Sequence, residues 1–180
     1  MKQPIWRFAC LTALIILSAA GCTSTQQAQV QHGPTATPQV FAGGCAGTLL
    51  TEAEPPAWAQ GGWTHVKGTP WGVPWALGTG GDAVAFVFAN ELVAGSSPRV
   101  DGTNNKVLWV AKGSPANFVV EGVPPGGTQA MVTVNGGPSI VDAPSPGCWT
   151  FRLSWGSSRA ASTINLDVLP AGTRPPAPAA

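Results

Sequence analysis

The side chains that could perform catalysis are few in this chain. Its two histidines are His32 and His65, and its closest pair of carboxylates, Glu52 and Glu54, leads directly into a Pro-Pro turn. Hydrolysis needs a well-placed general base or two cooperating carboxylates. The sequence contains no nucleophile elbow, zinc-binding helix motif, phosphate-binding loop or C-x-x-C pair. We therefore expect a protein that is not an enzyme, and the alternative is a hydrolase that uses His65 or a carboxylate pair.

One predicted loop contains several side chains that could bind a metal ion. The segment RVDGTNNK, residues 99–106, brings together Asp101, Asn104 and Asn105, which offer the oxygen ligands that calcium prefers. It lacks the further carboxylates of a calcium-binding loop, and Asp-Gly and Asn-Asn are common in ordinary turns. We expect an ordinary loop, with no metal and no cofactor.

Tryptophans are concentrated in one segment. Of the eight in the chain, four lie within residues 58–75, namely Trp58, Trp63, Trp71 and Trp75. The Gly and Pro content of this segment argues against a regular strand or helix. Rigid loop aromatics could form a ligand platform on which sugar rings stack. They could also cover a small core, since a tryptophan buries 150 to 250 Å². We expect mainly a cover over the strand-like run DAVAFVF, with the platform as the alternative.

The N-terminus has the parts of an export signal. Lys2 and Arg7 precede an uncharged, mostly apolar stretch at residues 8–20, which has signal length and is shorter than the roughly 20 residues of a membrane span. The following LSAAGC resembles the lipobox of bacterial lipoproteins. That resemblance implies that Cys22 is linked to diacylglycerol and becomes the mature N-terminus, whereas the alternative is an ordinary secretory signal.

The charge balance excludes one class of partner. Without residues 1–21 the chain keeps seven basic and eight acidic side chains, a net charge of −1. Such a chain lacks the basic patch that nucleic-acid binding requires. Its contact with a membrane would come through the N-terminal lipid, on the outer face of the cytoplasmic membrane, or at an outer membrane if the cell has one.

Two cysteines remain in the exported part of the chain, Cys45 and Cys148. In an oxidising compartment such a pair predicts a disulfide. Its loop of about 100 residues is worth roughly 4 to 5 kcal/mol in the chain-entropy model. The alternative is two free buried thiols.

The chain divides into four parts by composition. Residues 1–21 are the predicted lipoprotein signal peptide, and residues 22–44, rich in Gln, Thr, Pro and Gly, are a predicted disordered tether. Residues 45–170 form one predicted domain. Residues 171–180 are a Pro- and Ala-rich tail that favours an extended conformation.

The domain consists of short apolar runs separated by Gly, Pro and Asn. These runs are CAGTLL, DAVAFVF, NKVLWVA, NFVVE, TQAMVTV, PSIVDA, CWTFRLSW and STINLDVL. This spacing predicts an all-β fold, a single antiparallel immunoglobulin-like β-sandwich of about seven to nine short strands.

Three runs have informative patterns. Apolar residues alternate with polar ones from Trp149 through Phe151 and Leu153 to Trp155, and again from Ile164 through Leu166 to Val168. Such alternation predicts strands with one buried face, joined by a hairpin at GSSRAA. The run AVAFVF is apolar at every position, which predicts a central strand covered on both faces.

Two motifs resemble a known family. GTNNKVLWVAK, residues 102–112, and PSIVDAPSPGCWTFRLSWG, residues 138–156, carry the Asn-Lys-Val-Leu-Trp and Pro-Gly-Cys-Trp patterns. They look like those of an uncharacterised family of bacterial lipoproteins with an immunoglobulin-like extracytoplasmic sandwich. The resemblance implies a fold and a location and no assigned activity.

These observations predict a lipid-anchored extracytoplasmic module. We expect it to act, without catalysis, as a binding or adaptor module for an envelope protein or glycan. Besides the cell-wall hydrolase, a surface structural protein with no small ligand remains an alternative.

Overall fold

The computed structural model describes residues 40–66, 69–157 and 161–175. The predicted signal peptide, Cys22 and nearly all of the predicted tether lie outside these ranges, as do the last five residues of the tail. The described residues form one short 3-10 helix, Ala57–Ala59. They also form nine strands, which are β1 (Trp75–Leu77), β2 (Ala83–Val87), β3 (Leu92–Val93), β4 (Lys106–Ala111), β5 (Val119–Val123), β6 (Val132–Asn135), β7 (Gly137–Ile140), β8 (Gly147–Ser154) and β9 (Ser162–Leu169).

The strands form two sheets, and the predicted all-β sandwich is confirmed. The first sheet has the order β1-β2-β4-β7, and the second has the order β3-β9-β8-β5-β6. One detail of the prediction is wrong, because β3 pairs with β9 in parallel and not antiparallel. The chain enters β3 by crossing over from the first sheet after β2, so no hairpin reverses its direction.

The hairpin of β8 and β9 follows the predicted alternation. Trp149, Phe151 and Leu153 are fully buried, and the intervening residues of β8 are half-buried. β9 repeats this pattern opposite β8. The β8 strand ends at Ser154, before the last predicted member of the series, and Trp155 instead lies half-buried with its ring edge-on to Phe118 at 5.6 Å.

β2 is covered on both faces, as its continuous apolar sequence predicts. All five of its residues are buried. Ala83, Ala85 and Val87 pack into the main core between the sheets. Val84 and Phe86 belong to a second, smaller core on the outer face of the first sheet. Something outside the sandwich must therefore cover that outer face.

The predicted disulfide between Cys45 and Cys148 is present, and it joins residues 103 positions apart. Cys148 lies in β8, but Cys45 lies directly before a turn and in no strand, so the prediction of a strand at the run CAGTLL is wrong. The backbone around Cys45 instead binds the edge of β9: Cys45 N–H donates to Asn165 O at 3.3 Å, and Asp167 N–H donates to Gly43 O at 2.9 Å. The disulfide thus fixes the N-terminal part of the fold to the second sheet.

Candidate functional site

The tryptophan-rich segment is a closed loop on the outer face of the first sheet. We call residues 52–74 the tryptophan loop. Its two ends meet where Thr51 and Trp75 exchange backbone hydrogen bonds of 3.0 and 2.9 Å. Within the loop, Trp71 N–H donates to Glu52 O at 2.9 Å. A loop with paired ends whose own side chains fill its interior is of the Ω type.

Trp71 and Trp75 point inward. Their exposed fractions are 7% and 8%, and they pack with Val84 and Phe86. The indole N–H of Trp75 donates to Ala53 O at 2.7 Å, which satisfies its polar atom inside the cover. The predicted cover over β2 is therefore confirmed for these two residues, and neither indole presents an open face in this structure. The expectation that no regular element lies in residues 58–75 is wrong at both ends, because Trp58 belongs to the 3-10 helix and Trp75 begins β1.

Trp58 and Trp63 are half-buried at the margin of the same cover. The Trp63 ring lies 5.0 Å from Phe86 and 5.6 Å from Trp71, measured between ring centroids. It is also nearly parallel to the Phe88 ring, at 5.7 Å and an interplanar angle of 8°. Trp63 therefore links the buried aromatic residues to an exposed one.

Phe88 is a surface aromatic residue that sequence reasoning did not single out. It follows the end of β2, its exposed fraction is 39%, and Lys106 Nζ lies 4.9 Å from its ring centroid. An ammonium group at this distance is attracted to the face of the ring. We call Trp63, Phe88 and Lys106 the aromatic rim. Phe88 continues the outward series of Val84 and Phe86, so period-two counting could have found it.

The candidate catalytic residues lie on or beside the tryptophan loop but do not form a catalytic pair. The His65 ring is half-buried, with its centroid 4.3 Å from the Trp71 ring. Glu54 accepts a hydrogen bond from Gln60 Nε2 at 3.3 Å. Among the hydrogen bonds and ion pairs between described residues, none joins His65 to a carboxylate. A catalytic histidine is normally oriented by such a partner.

The loop considered for calcium uses its polar groups to hold itself together. Asp101 accepts hydrogen bonds from Arg99 Nη2 at 2.7 Å, from Thr103 N–H at 3.0 Å and from Thr103 Oγ1 at 2.8 Å. The bond from Arg99, followed by those from Thr103, holds the pKa of the Asp101 carboxyl well below its usual range. Asn105 is fully buried and bonds both the N–H and the carbonyl of Val93. Across residues 40–66, 69–157 and 161–175, no group of three metal-ligating side chains is found.

The comparisons with known proteins add no assignment: no protein-family model, curated protein or solved structure matches this chain. In the part of the chain that the structure describes, no helix is long and apolar enough to cross a bilayer.

Proposed function

We propose that this chain is a lipid-anchored extracytoplasmic lipoprotein that acts, without catalysis of its own, as a binding or adaptor module for a protein or glycan of the cell envelope. Its lipobox-like LSAAGC, with Cys22 as the lipidated residue, motivates the anchor. The disulfide between Cys45 and Cys148 supports an oxidising compartment. The resemblance to lipoproteins with an immunoglobulin-like domain supports the same location.

The aromatic rim is the observation that favours binding. Phe88, Lys106 and Ile140 lie in one row across β2, β4 and β7, because Phe88 N–H donates to Lys106 O and Lys106 pairs with Ile140. Phe88 and Ile140 are both exposed. The row lies on the first sheet, and the Trp63 ring stacks against the Phe88 ring. Exposed aromatic and aliphatic groups held by a rigid sheet lose little entropy on binding, and aromatic residues are enriched at protein interfaces.

Photocrosslinking in cells from position 88 can capture the proposed partner. A photoreactive amino acid at position 88 should form a discrete covalent adduct, while the same group at Thr133, which is exposed on β6 of the other sheet, should not. One envelope protein or glycan recovered from position 88 alone supports the proposal. Identical adduct patterns from both positions, or none from position 88, contradict it.

The hydrolase alternative makes a different prediction. If His65 or the pair Glu52 and Glu54 performed hydrolysis, their replacement by alanine would abolish the release of wall fragments by the purified chain. Under our proposal the wild-type chain releases none above a buffer control, and the variants behave in the same way. Wall-fragment release that depends on any of these residues would refute the non-catalytic assignment.

A further inference from the structure

A pocket lies where the chain crosses twice between the sheets. It has a volume of about 570 Å³. Its walls are β4, the crossover that leads to β5, and the connection between β6 and β7. The residues of its lining include Ser114, Asn117, Phe118, Asn135 and Gly136.

The pocket exists because β4 extends beyond its neighbour. Pairing of β4 with β7 ends where Trp109 lies opposite Gly137, the first residue of β7. β4 continues to Ala111, so its last residues have no β7 partner. The chain before Gly137 belongs to β6, which pairs with β5 in the other sheet. A gap therefore opens between the end of β4 and the two crossovers.

One wall of the gap is an aromatic ring held in a fixed place. A side chain at Gly136 would collide with the Phe118 ring, so this glycine leaves the space that Phe118 occupies. Trp155 supports the same ring edge-on. Phe118 is thus held between a glycine and an indole, which keeps the apolar wall in position.

The polar side chains that line the pocket are uncharged and make no hydrogen bonds to other described residues. Among the described residues, no charged side chain lines the pocket. Ser114, Asn117 and Asn135 are exposed, and no hydrogen bond to another described residue uses their side chains. Asn135 is engaged through its backbone carbonyl, which accepts from Ser139 Oγ at 2.8 Å. The amides and the hydroxyl can therefore both donate and accept hydrogen bonds with a ligand.

From these features we propose that the pocket between β4 and the two crossovers binds a short neutral glycan of about one or two sugar units. Neutral amide and hydroxyl groups suit the hydroxyl groups of sugars, which both donate and accept. The apolar face of a sugar suits the apolar part of the lining, which includes Phe118, and the uncharged lining does not suit phosphates or carboxylates. The inference shares with the proposed function the location outside the cytoplasm and the glycan as one class of ligand, but its site is separate from the aromatic rim.

Binding can be measured on the full chain in a detergent whose headgroup is not a sugar. The probes are maltotriose and N,N′,N″-triacetylchitotriose, two neutral trisaccharides, titrated by calorimetry. We expect saturable binding of at least one of them, with a dissociation constant of about 1 mM. Absence of saturable binding for both sugars up to about 20 mM would overturn the inference.

Substitutions of residues that line the pocket test whether the sugar binds there. The double substitution Asn117→Ala and Asn135→Ala should weaken binding by about tenfold or more, because it removes two side-chain amides that would hydrogen-bond the sugar. Asn104→Ala is the control, since Asn104 is also an exposed asparagine but lies outside the pocket, and it should leave the affinity unchanged. Equal affinity of the double variant and the wild type would overturn the inference.

Two further measurements distinguish sugar binding in the pocket from sugar binding at the aromatic rim and from peptide binding beside β4. If Phe88→Ala abolishes sugar binding while the asparagine variant retains it, the glycan site is the aromatic rim, and the inference fails while the proposed function stands. If a neutral (Thr-Val)₃ peptide binds and the sugars do not, the open end of β4 takes a peptide strand, and the inference also fails. Crosslinking from position 88 that persists in the asparagine variant shows that the proposed function is independent of this pocket.

Discussion

At the level of single residues, the four tryptophans of residues 58–75 lie in two different environments. Trp71 and Trp75 are buried in the cover over β2, whereas Trp58 and Trp63 lie half-buried at its margin. The sequence shows that the four tryptophans lie close together in residues 58–75, but it could not indicate which rings point inward. That depends on contacts with Val84 and Phe86, which only the folded chain brings under the loop.

Truncating a buried tryptophan should cost far more stability than truncating one at the margin. Trp71→Ala should lower the free energy of unfolding by about 3 to 5 kcal/mol, because a buried aromatic ring leaves a cavity. Trp58→Ala, the matched control, should cost distinctly less. Urea unfolding with the disulfide intact measures both. Equal costs would argue against the inward placement of Trp71.

The Asp101 loop gives a pH-dependent prediction. Because the folded-state pKa of Asp101 is lowered, its carboxylate stabilises the fold above the unfolded pKa of about 3.9, and this contribution is lost as the pH falls through the lower folded value. The melting temperature of Asp101→Asn should therefore lie below that of the wild type by a constant amount from pH 7 to about pH 5.

Below about pH 4 the gap between the two melting temperatures should narrow, because Asp101 of the unfolded wild-type chain takes up a proton while the folded chain still holds the carboxylate. Thermal melts across this range measure it. A gap that is independent of pH down to about pH 2 would show that ionisation of Asp101 does not stabilise the loop.

Among the elements, those with a strong local pattern were predictable and those defined by tertiary pairing were not. The alternation in β8 and β9 and the uninterrupted apolar run of β2 were evident in the sequence because each pattern reports burial directly. The parallel pairing of β3 and the strand position of Trp75 follow from the path of the chain between the sheets. The pocket beside β4 depends on the register in which β7 pairs with β4, where Trp109 lies opposite Gly137. No local sequence pattern indicates that register.

Gly122 in β5 can be used to test how closely β5 packs against the neighbouring strands β6 and β8. A methyl group at Gly122 would lie 2.9 Å from Phe151 and 3.2 Å from Val132, so Gly122→Ala should destabilise the fold by about 1 to 3 kcal/mol through overpacking. The control is Gly61→Ala, since nothing lies within 4 Å of that position, and it should be nearly neutral. Denaturant midpoints compare the two, and a neutral Gly122→Ala would contradict the described contact of β5 with β8.

At the scale of the whole molecule, the disulfide between Cys45 and Cys148 fixes the start of the described fold to the second sheet. Replacing both cysteines with serine removes a constraint across 103 positions. The variant should lose up to about 4 to 5 kcal/mol of unfolding free energy, and chemical reduction of the wild type should cause a similar loss. A stability unchanged by both treatments would show that the bridge contributes nothing to the fold.

The proposed export and lipidation of the chain can be tested together by the intact mass of the protein extracted from membranes. We expect a mature chain that begins at Cys22, carries the added mass of a diacylglyceryl group, and lacks the two hydrogens lost when Cys45 and Cys148 form their disulfide. A chain that retains residues 1–21, or one that begins elsewhere without lipid, would contradict the account.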